Sequence, residues 1–243
     1  EDSIIMGEFV RERREAILML SAAGAAFALG CGGSSPTSPT STSTTSSGTT
    51  VTGGTGTTSA TCAVAPTETV GPYPSLQDLI RSDIREDRQG TPLQLTIQVV
   101  NVAAACAPLA DVAVEIWQCD VAGNYSQYGS QTARTYLRGI QTTNSAGEVV
   151  FTTLYPGWYQ GRATHIHVEV ARAGQSLKVT QIAFPEDISN QVHSQGVYAS
   201  RGINSTTNAR DGIFSDGVSL QLASVSGSPS TSMMASYRLG VTA

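Results

Sequence analysis

His165-Ile166-His167 places two imidazoles one residue apart in a chain that has only three histidines. In an extended strand side chains alternate between faces, so His165 and His167 project the same way while Ile166, Val168 and Val170 form an apolar back. Such a pair can hold a metal ion if other ligands reach it. The nearest candidates are oxygen donors. Tyr159 follows a Pro-Gly turn in Tyr155-Pro156-Gly157-Trp158-Tyr159-Gln160-Gly161-Arg162, and Tyr125 ends the turn Asp120-Val121-Ala122-Gly123-Asn124-Tyr125. Phenolate is a hard, anionic ligand, and Fe(III) is the natural ion for it. Coordination to such an ion deprotonates the phenol, whose free pKa is about 10. Two phenolates lower the ion's charge from three to one and make it resist reduction. Zinc or copper on the same donors is a poorer fit, because zinc favours His with Cys or carboxylate in a tetrahedron.

The elements that must position these groups read mostly as strands. Leu93, Leu95, Ile97 and Val99 alternate with Gln94, Thr96 and Gln98; Val112, Val114 and Ile116 alternate with Ala113, Glu115 and Trp117. Residues 148–152 are rich in strand formers and follow the turn Asn144-Ser145-Ala146-Gly147. The histidine strand is expected over 164–170, the next over 177–184, and closing strands over 218–225 and 235–241. Only short helices are expected, at 75–81 and 185–191. Many short strands with frequent turns predict an all-β antiparallel β-sandwich with long active-site loops, over residues 62–243.

The chain has 243 residues, a charged fraction of 14% and a net charge of -5; without residues 1–30 the charge is -3. No basic face for nucleic acid is indicated. Residues 1–31 read as an export signal. Arg11, Arg13 and Arg14 precede an apolar run from Ala16 to Gly30, shorter than the roughly 20 residues that span a bilayer. Met6 is a candidate start. The Arg13-Arg14 pair resembles a twin-arginine signal. Ala28-Leu29-Gly30-Cys31 resembles a lipoprotein cleavage site, at which a lipidated Cys31 would tether the protein to a membrane. Residues 32–61 are a Ser/Thr/Gly/Pro tract, expected to be a flexible tether. Three cysteines follow. About eight extended residues between Cys106 and Cys119 would cover roughly 26 Å, against the ~7 Å that a disulfide allows between Cα atoms. Cys62 is therefore expected to pair with one of them, and which one is open.

Several stretches then converge. Thr67-Glu68-Thr69-Val70-Gly71-Pro72-Tyr73, Ile116-Trp117-Gln118-Cys119-Asp120 with Gly123-Asn124-Tyr125, Leu137-Arg138-Gly139, Tyr155 through Arg162 to His167, and Gln181-Ile182-Ala183-Phe184 resemble the intradiol ring-cleavage dioxygenases, the family of catechol, hydroxyquinol and protocatechuate dioxygenases. The resemblance covers roughly 62–217 and comes nearest to an exported, single-domain branch. It implies Tyr125, Tyr159, His165 and His167 as ligands of Fe(III). It implies Arg162 as a stabiliser of negative charge beside the substrate, Gln181 as a polar residue behind the site, and Tyr73 as pocket lining. The implied partners are a small aromatic diol and O2, and the implied product is a cis,cis-muconate-type diacid. Pro74 stands where the family often has a second aromatic, a departure that bears on pocket shape. The dimer of better-known relatives, built on an N-terminal helical segment, does not carry over, and the oligomeric state stays open.

Each residue also has a plainer reading. A His-x-His pair can be structural, a turn tyrosine half-buried, and an arginine or strand glutamine merely solvated. Trp117 reads as core and His193 as a loop residue without a role. Glu169 reads either as a hydrogen-bond partner of a ligand or as a solvated strand end. A non-catalytic β-sandwich binding module of a surface lipoprotein is the competing function.

Overall fold

The structure, a computed structural model, describes residues 62–243; the expected export signal and tether lie outside the described residues. Nine strands form two sheets. They are β1 (Pro92–Asn101), β2 (Ala107–Pro108), β3 (Ala113–Trp117), β4 (Arg138–Thr142), β5 (Glu148–Leu154), β6 (His165–Arg172), β7 (Gln175–Ala183), β8 (Ser224–Ser228) and β9 (Ser232–Val241), with one short helix, α1 (Glu186–His193). One sheet has the order β4-β3-β6-β7. In the other, β9 lies between β1 and β8, and β5 and β2 share the other edge of β1. The expected all-β sandwich is what forms. All pairings are antiparallel except β1 with β9, which run parallel along nine residue pairs.

Alternation decides what faces the core. Val114, Ile116, Ile166, Val168, Val170 and Ile182 from the first sheet meet Leu93, Leu95, Ile97, Val99, Phe151 and Leu239 from the second, all fully buried. Burying each such aliphatic side chain contributes about 1.5–3 kcal/mol. The opposite face of the first sheet carries His165 and His167, so the core rigidly backs the strand that presents them.

Before β1, residues 62–91 cross that outer face as a strap. Ala65 N–H donates to Gly240 O at 2.9 Å, Glu68 N–H to Val179 O at 2.9 Å, and Ile84 N–H to Thr152 O at 3.0 Å. The helix expected over 75–81 does not form. Leu79 and Arg81 instead pair with Ile140, because the free edge of β4 offers ladder partners that a lone helical turn could not match. At 218–225 the expected strand is delayed: residues 218–221 form a turn, Leu222 makes one bridge to Ala183, and β8 starts at Ser224. Strand β4 was not anticipated, since Arg138, Gln141 and Thr142 break an apolar pattern.

The open cysteine choice resolves as Cys62–Cys106, closing a loop of 44 residues, and Cys119 is free and buried. The bridge pins the start of the strap to the β1–β2 connection. Reducing it is expected to lower stability by about 2–4 kcal/mol, read as a lower urea midpoint in the presence of reductant.

Candidate functional site

His165 and His167 are buried neighbours on β6, with Nε2 atoms 3.2 Å apart. Tyr125 comes from the loop after β3, and its hydroxyl lies 3.5 Å from His165 Nε2. Tyr159 comes from the loop after β5; its ring centroid lies 5.6 Å from that of His165 and 5.8 Å from that of Tyr125. The four side chains singled out in the sequence therefore gather at one place. Two donors each about 2.1 Å from one ion and at right angles would stand about 3.0 Å apart, close to the spacing of the imidazole nitrogens. Among the described residues no group of three or more His, Cys, Asp or Glu could hold a metal. An ion at the histidine pair would find the phenols of Tyr125 and Tyr159 beside it, and that donor set fits hard Fe(III).

The surroundings set each donor's state. His165 Nδ1–H donates to Ala163 O at 2.6 Å, leaving the Nε2 lone pair turned to the site. Burial, with Arg162 adding, pulls the His165 imidazolium down to about 3, and burial and the neighbouring His165 hold His167 well below its usual range. Both rings are thus neutral and able to ligate. Burial raises Tyr125 well above the usual phenol range; it raises Tyr159 too, against the lowering effect of Arg162. Cys119 packs with Trp117 and Tyr125, and burial pushes its thiol up to about 12.

Arg162 is the hub of the polar groups. Its Nη1 donates to Tyr159 Oη at 3.2 Å and its Nη2 to Gln181 Oε1. Gln181, buried and opposite His167 in the β6–β7 register, donates its amide to Thr69 O at 3.1 Å. Tyr73 stacks on Tyr125 with centroids 4.7 Å apart and meets Tyr128 edge-on at 5.3 Å.

Several contributors escaped the sequence reading. Asp211, fully buried, accepts Arg162 Nε on both oxygens, at 3.0 and 2.9 Å, and Ala163 N–H at 2.7 Å. One carboxylate thus positions the arginine and Ala163, the residue whose carbonyl orients His165. Trp117 is core, as expected, but also stacks on His167 at 4.9 Å, nearly parallel. Arg138 holds Tyr73 O at 2.9 Å and Ser126 O at 2.7 Å, joining the strap to the Tyr125 turn. Tyr128 supplies an aromatic beside Tyr73, and its hydroxyl donates to Pro74 O at 2.7 Å. The ring missing at Pro74 is replaced from another loop. The Leu137-Arg138-Gly139 stretch was visible in the sequence, but nothing marked Tyr128 or Asp211.

Two expectations need correction. His193 is not a loop residue: it ends α1, is 1% exposed, and its Nε2–H donates to Pro156 O at 3.1 Å, bracing the loop that carries Tyr159. Glu169 is no solvated strand end. It is buried on the histidine face and accepts the Ser176 hydroxyl at 2.7 Å, because the strap covers that face.

Gly71 shows how tight that cover is. It has φ +74°, and an added Cβ would lie 2.9 Å from His167 Cε1. Gly71→Ala is expected to lower iron affinity about 10–100-fold by pushing the ring off its position. Gly196→Ala is the control: φ is +50° and its Cβ would meet nothing within 4 Å. It should lose only the backbone cost of roughly 1–2 kcal/mol and keep its iron in elemental analysis.

A family model described as Dioxygenase matches residues 67–215. An intradiol ring-cleavage dioxygenase from Tetranychus urticae superimposes with a TM-score of 0.70 at 32% identity, covering 74% of this chain and 95% of that one. The chain belongs to the intradiol ring-cleavage dioxygenase family. This intradiol family member also resembles the dioxygenase domain of a dioxygenase–carbohydrate-binding fusion from Streptomyces sp. SirexAA-E, with a TM-score of 0.57 at 26% identity over 74% of this chain and 99% of that one. It is 33% identical over 94 residues to a catechol 1,2-dioxygenase of Candida albicans, a stretch spanning 31% of that enzyme.

Proposed function

We propose that the chain is a non-haem Fe(III) intradiol dioxygenase. It would insert both atoms of O2 into a catechol-type aromatic diol and open the ring between the hydroxyl-bearing carbons to a cis,cis-muconate-type diacid. The observation that carries this reading is the meeting of two phenols and two neutral imidazoles beside a fixed guanidinium. Tyr125, Tyr159, His165 and His167 would hold the ion. Bound there, Fe(III) would chelate the diol and withdraw electron density, so that the ring reacts with O2 without an external reductant.

The protein's own groups do the rest. Tyr125 is 3% exposed and stacked under Tyr73, whereas Tyr159 is only half-buried. Tyr159 is therefore the phenol with room to swing, and its oxygen can accept a proton from the incoming diol. Arg162, donating to that same oxygen, stabilises negative charge there and on the adjacent substrate oxygen. Gln181 and Asp211 hold the guanidinium in place, so little reorganisation is needed as charge develops. Trp117 and Gly71 close the space behind His167 and exclude water from it.

The test is metal analysis and a visible spectrum of the purified protein. Iron near one per chain, a tyrosinate-to-iron band, a shift of that band on anaerobic addition of catechol, and a muconate on admitting air are the expected results. A colourless, iron-free protein indifferent to catechols would leave a binding module instead.

We also propose an extracytoplasmic location. The Arg13-Arg14 pair, the apolar run after it and Cys31 support export, and the Cys62–Cys106 bridge suits an oxidising compartment. Loss of membrane association in Cys31→Ser would identify the lipid tether.

A further inference from the structure

Away from the histidine–tyrosine site, a cavity of about 580 Å³ opens between the strap, the loop that ends at Tyr125 and the turn after α1. That volume lies within the roughly 300–1,000 Å³ usual for small-molecule sites. Its lining comes largely from Arg88 on the strap, Asp120, Val121 and Ala122 of the loop, and Val197 and Arg201 of the turn. None of the four donor residues belongs to it, and neither Arg162 nor Gln181 does.

Hydrogen bonding around this cavity leaves donors in excess. Asp120 Oδ1 accepts Ala122 N–H at 3.0 Å and Asn124 N–H at 2.9 Å, and its Oδ2 accepts the Tyr136 hydroxyl at 3.1 Å. Asp87, which also lines the cavity, takes Arg88 Nε on one oxygen at 3.0 Å and Arg134 on the other. All four carboxylate oxygens are therefore engaged. The guanidinium groups are not. Arg201 donates Nη1 to Ala122 O at 2.6 Å and lies over the Trp158 ring, 4.3 Å from its centroid. Among the described residues it has no carboxylate partner, and its Nη2 has no acceptor. Arg88 Nη1 stands 3.9 Å from Asp120 Oδ2, beyond hydrogen-bond reach. An anion supplies the missing acceptors. Val121, Ala122 and Val197 favour an anion with a hydrocarbon body over a bare inorganic ion.

Arg201 also ties the cavity to the four-donor site. Its bond to Ala122 holds the loop of Tyr125, and its stack on Trp158 holds the neighbour of Tyr159. The two loops touch directly there. A Cβ on Gly123 would lie 2.5 Å from Trp158 O and 2.9 Å from Arg201 Nη2, and a Cβ on Gly157 would collide with Asp120 O. An acceptor that draws Arg201 toward the cavity therefore acts on both loops at once.

We propose that this cavity is a second binding site, for a small organic carboxylate, and that its occupant acts on the Tyr125 and Tyr159 loops through Arg201. The site goes beyond the dioxygenase reading and does not depend on it.

The test titrates the full chain with adipate, a six-carbon diacid, by calorimetry and by tryptophan emission, with sulfate at equal ionic strength as the comparison. Saturable adipate binding with a change in emission is expected, and much weaker binding of sulfate. The emission change should vanish in Trp158→Phe, which leaves Trp117 as the only tryptophan. Arg201→Gln should weaken adipate about tenfold or more, because it removes a charge-assisted bond. Arg88→Gln should weaken it several-fold, and it keeps the test readable should Arg201→Gln fail to fold, since the ion pair it gives up with Asp87 is a surface one. On iron-loaded protein, adipate and catechol should bind together. Mutual exclusion would put the diacid on the metal and overturn the second site. So would the lack of saturable binding, binding that both arginine variants keep, or sulfate as strong as adipate. An emission change that survives Trp158→Phe would overturn the action on the loops. If the chain holds neither iron nor catechol, the dioxygenase reading fails while the calorimetry and the arginine variants still decide this site.

Discussion

His167→Ala is expected to purify with less than about a tenth of the wild-type iron and to cleave no catechol, while keeping the sandwich fold. His167 is fully buried, its Nε2 lies 3.2 Å from that of His165, and its ring is clamped between Trp117 and Gly71. No other histidine can take its place: His193, the third, is turned to Pro156 O. Perturbing a group behind a ligand already weakens metal binding 10–100-fold, and removing the ligand exceeds that. The cavity left beside Trp117 should lower stability by about 2 kcal/mol, a modest loss for a site outside the main core. His193→Ala separates the two effects. That ring is as buried, so its removal should lower stability comparably, while iron loss should be much smaller than in His167→Ala because only a brace on the Tyr159 loop is removed. Elemental analysis beside urea denaturation reads both. Iron retained in His167→Ala would remove this residue from the ligand set.

Asp211→Asn is expected to keep most of its iron yet lose about 100-fold in kcat and about 3 kcal/mol in stability. The carboxylate is fully buried and accepts Arg162 Nε, Ala163 N–H and Ile213 N–H. An amide nitrogen in place of one oxygen turns a donor toward those donors, and removing one side of a buried ion pair costs about 3–5 kcal/mol. The guanidinium, 14% exposed, would then drift from Tyr159. A displacement of roughly 1 Å in a positioning group can reduce the rate about 100-fold. The visible band is a sharper readout than the rate. It reports the Tyr159 oxygen, which Arg162 touches, and a purely structural loss would not shift it in the protein that remains folded. An unshifted band and an unchanged kcat would assign Asp211 to folding alone.

The strand carrying His165 and His167 was legible because period-two alternation puts chemistry on one face and core on the other. Tyr125 and Tyr159 were legible only as turn residues next to glycines, and their meeting with the imidazoles depended on resemblance. What stayed hidden was long-range. Asp211 acts on Arg162 from 49 residues away, with no periodic pattern around it. Strand β4 was obscured because its Arg138 is buried by polar partners and not by apolar ones. The 75–81 segment has helix-compatible residues, yet an unpaired strand edge outcompeted local propensity. Spacing excluded one disulfide and could not choose between the other two, since only the path of the strap brings Cys62 to Cys106.

The parallel pairing of β1 with β9 joins Leu93–Asn101 to Met233–Val241, strands from opposite ends of the sheet-forming sequence. In a nascent polypeptide that edge of β1 is therefore vacant until β9 has been made. Until then the backbone groups along that side of Leu93–Asn101 have no ladder partner. Long-range pairing of this kind folds slowly, and a chain lacking β9 would expose a strand edge prone to self-association.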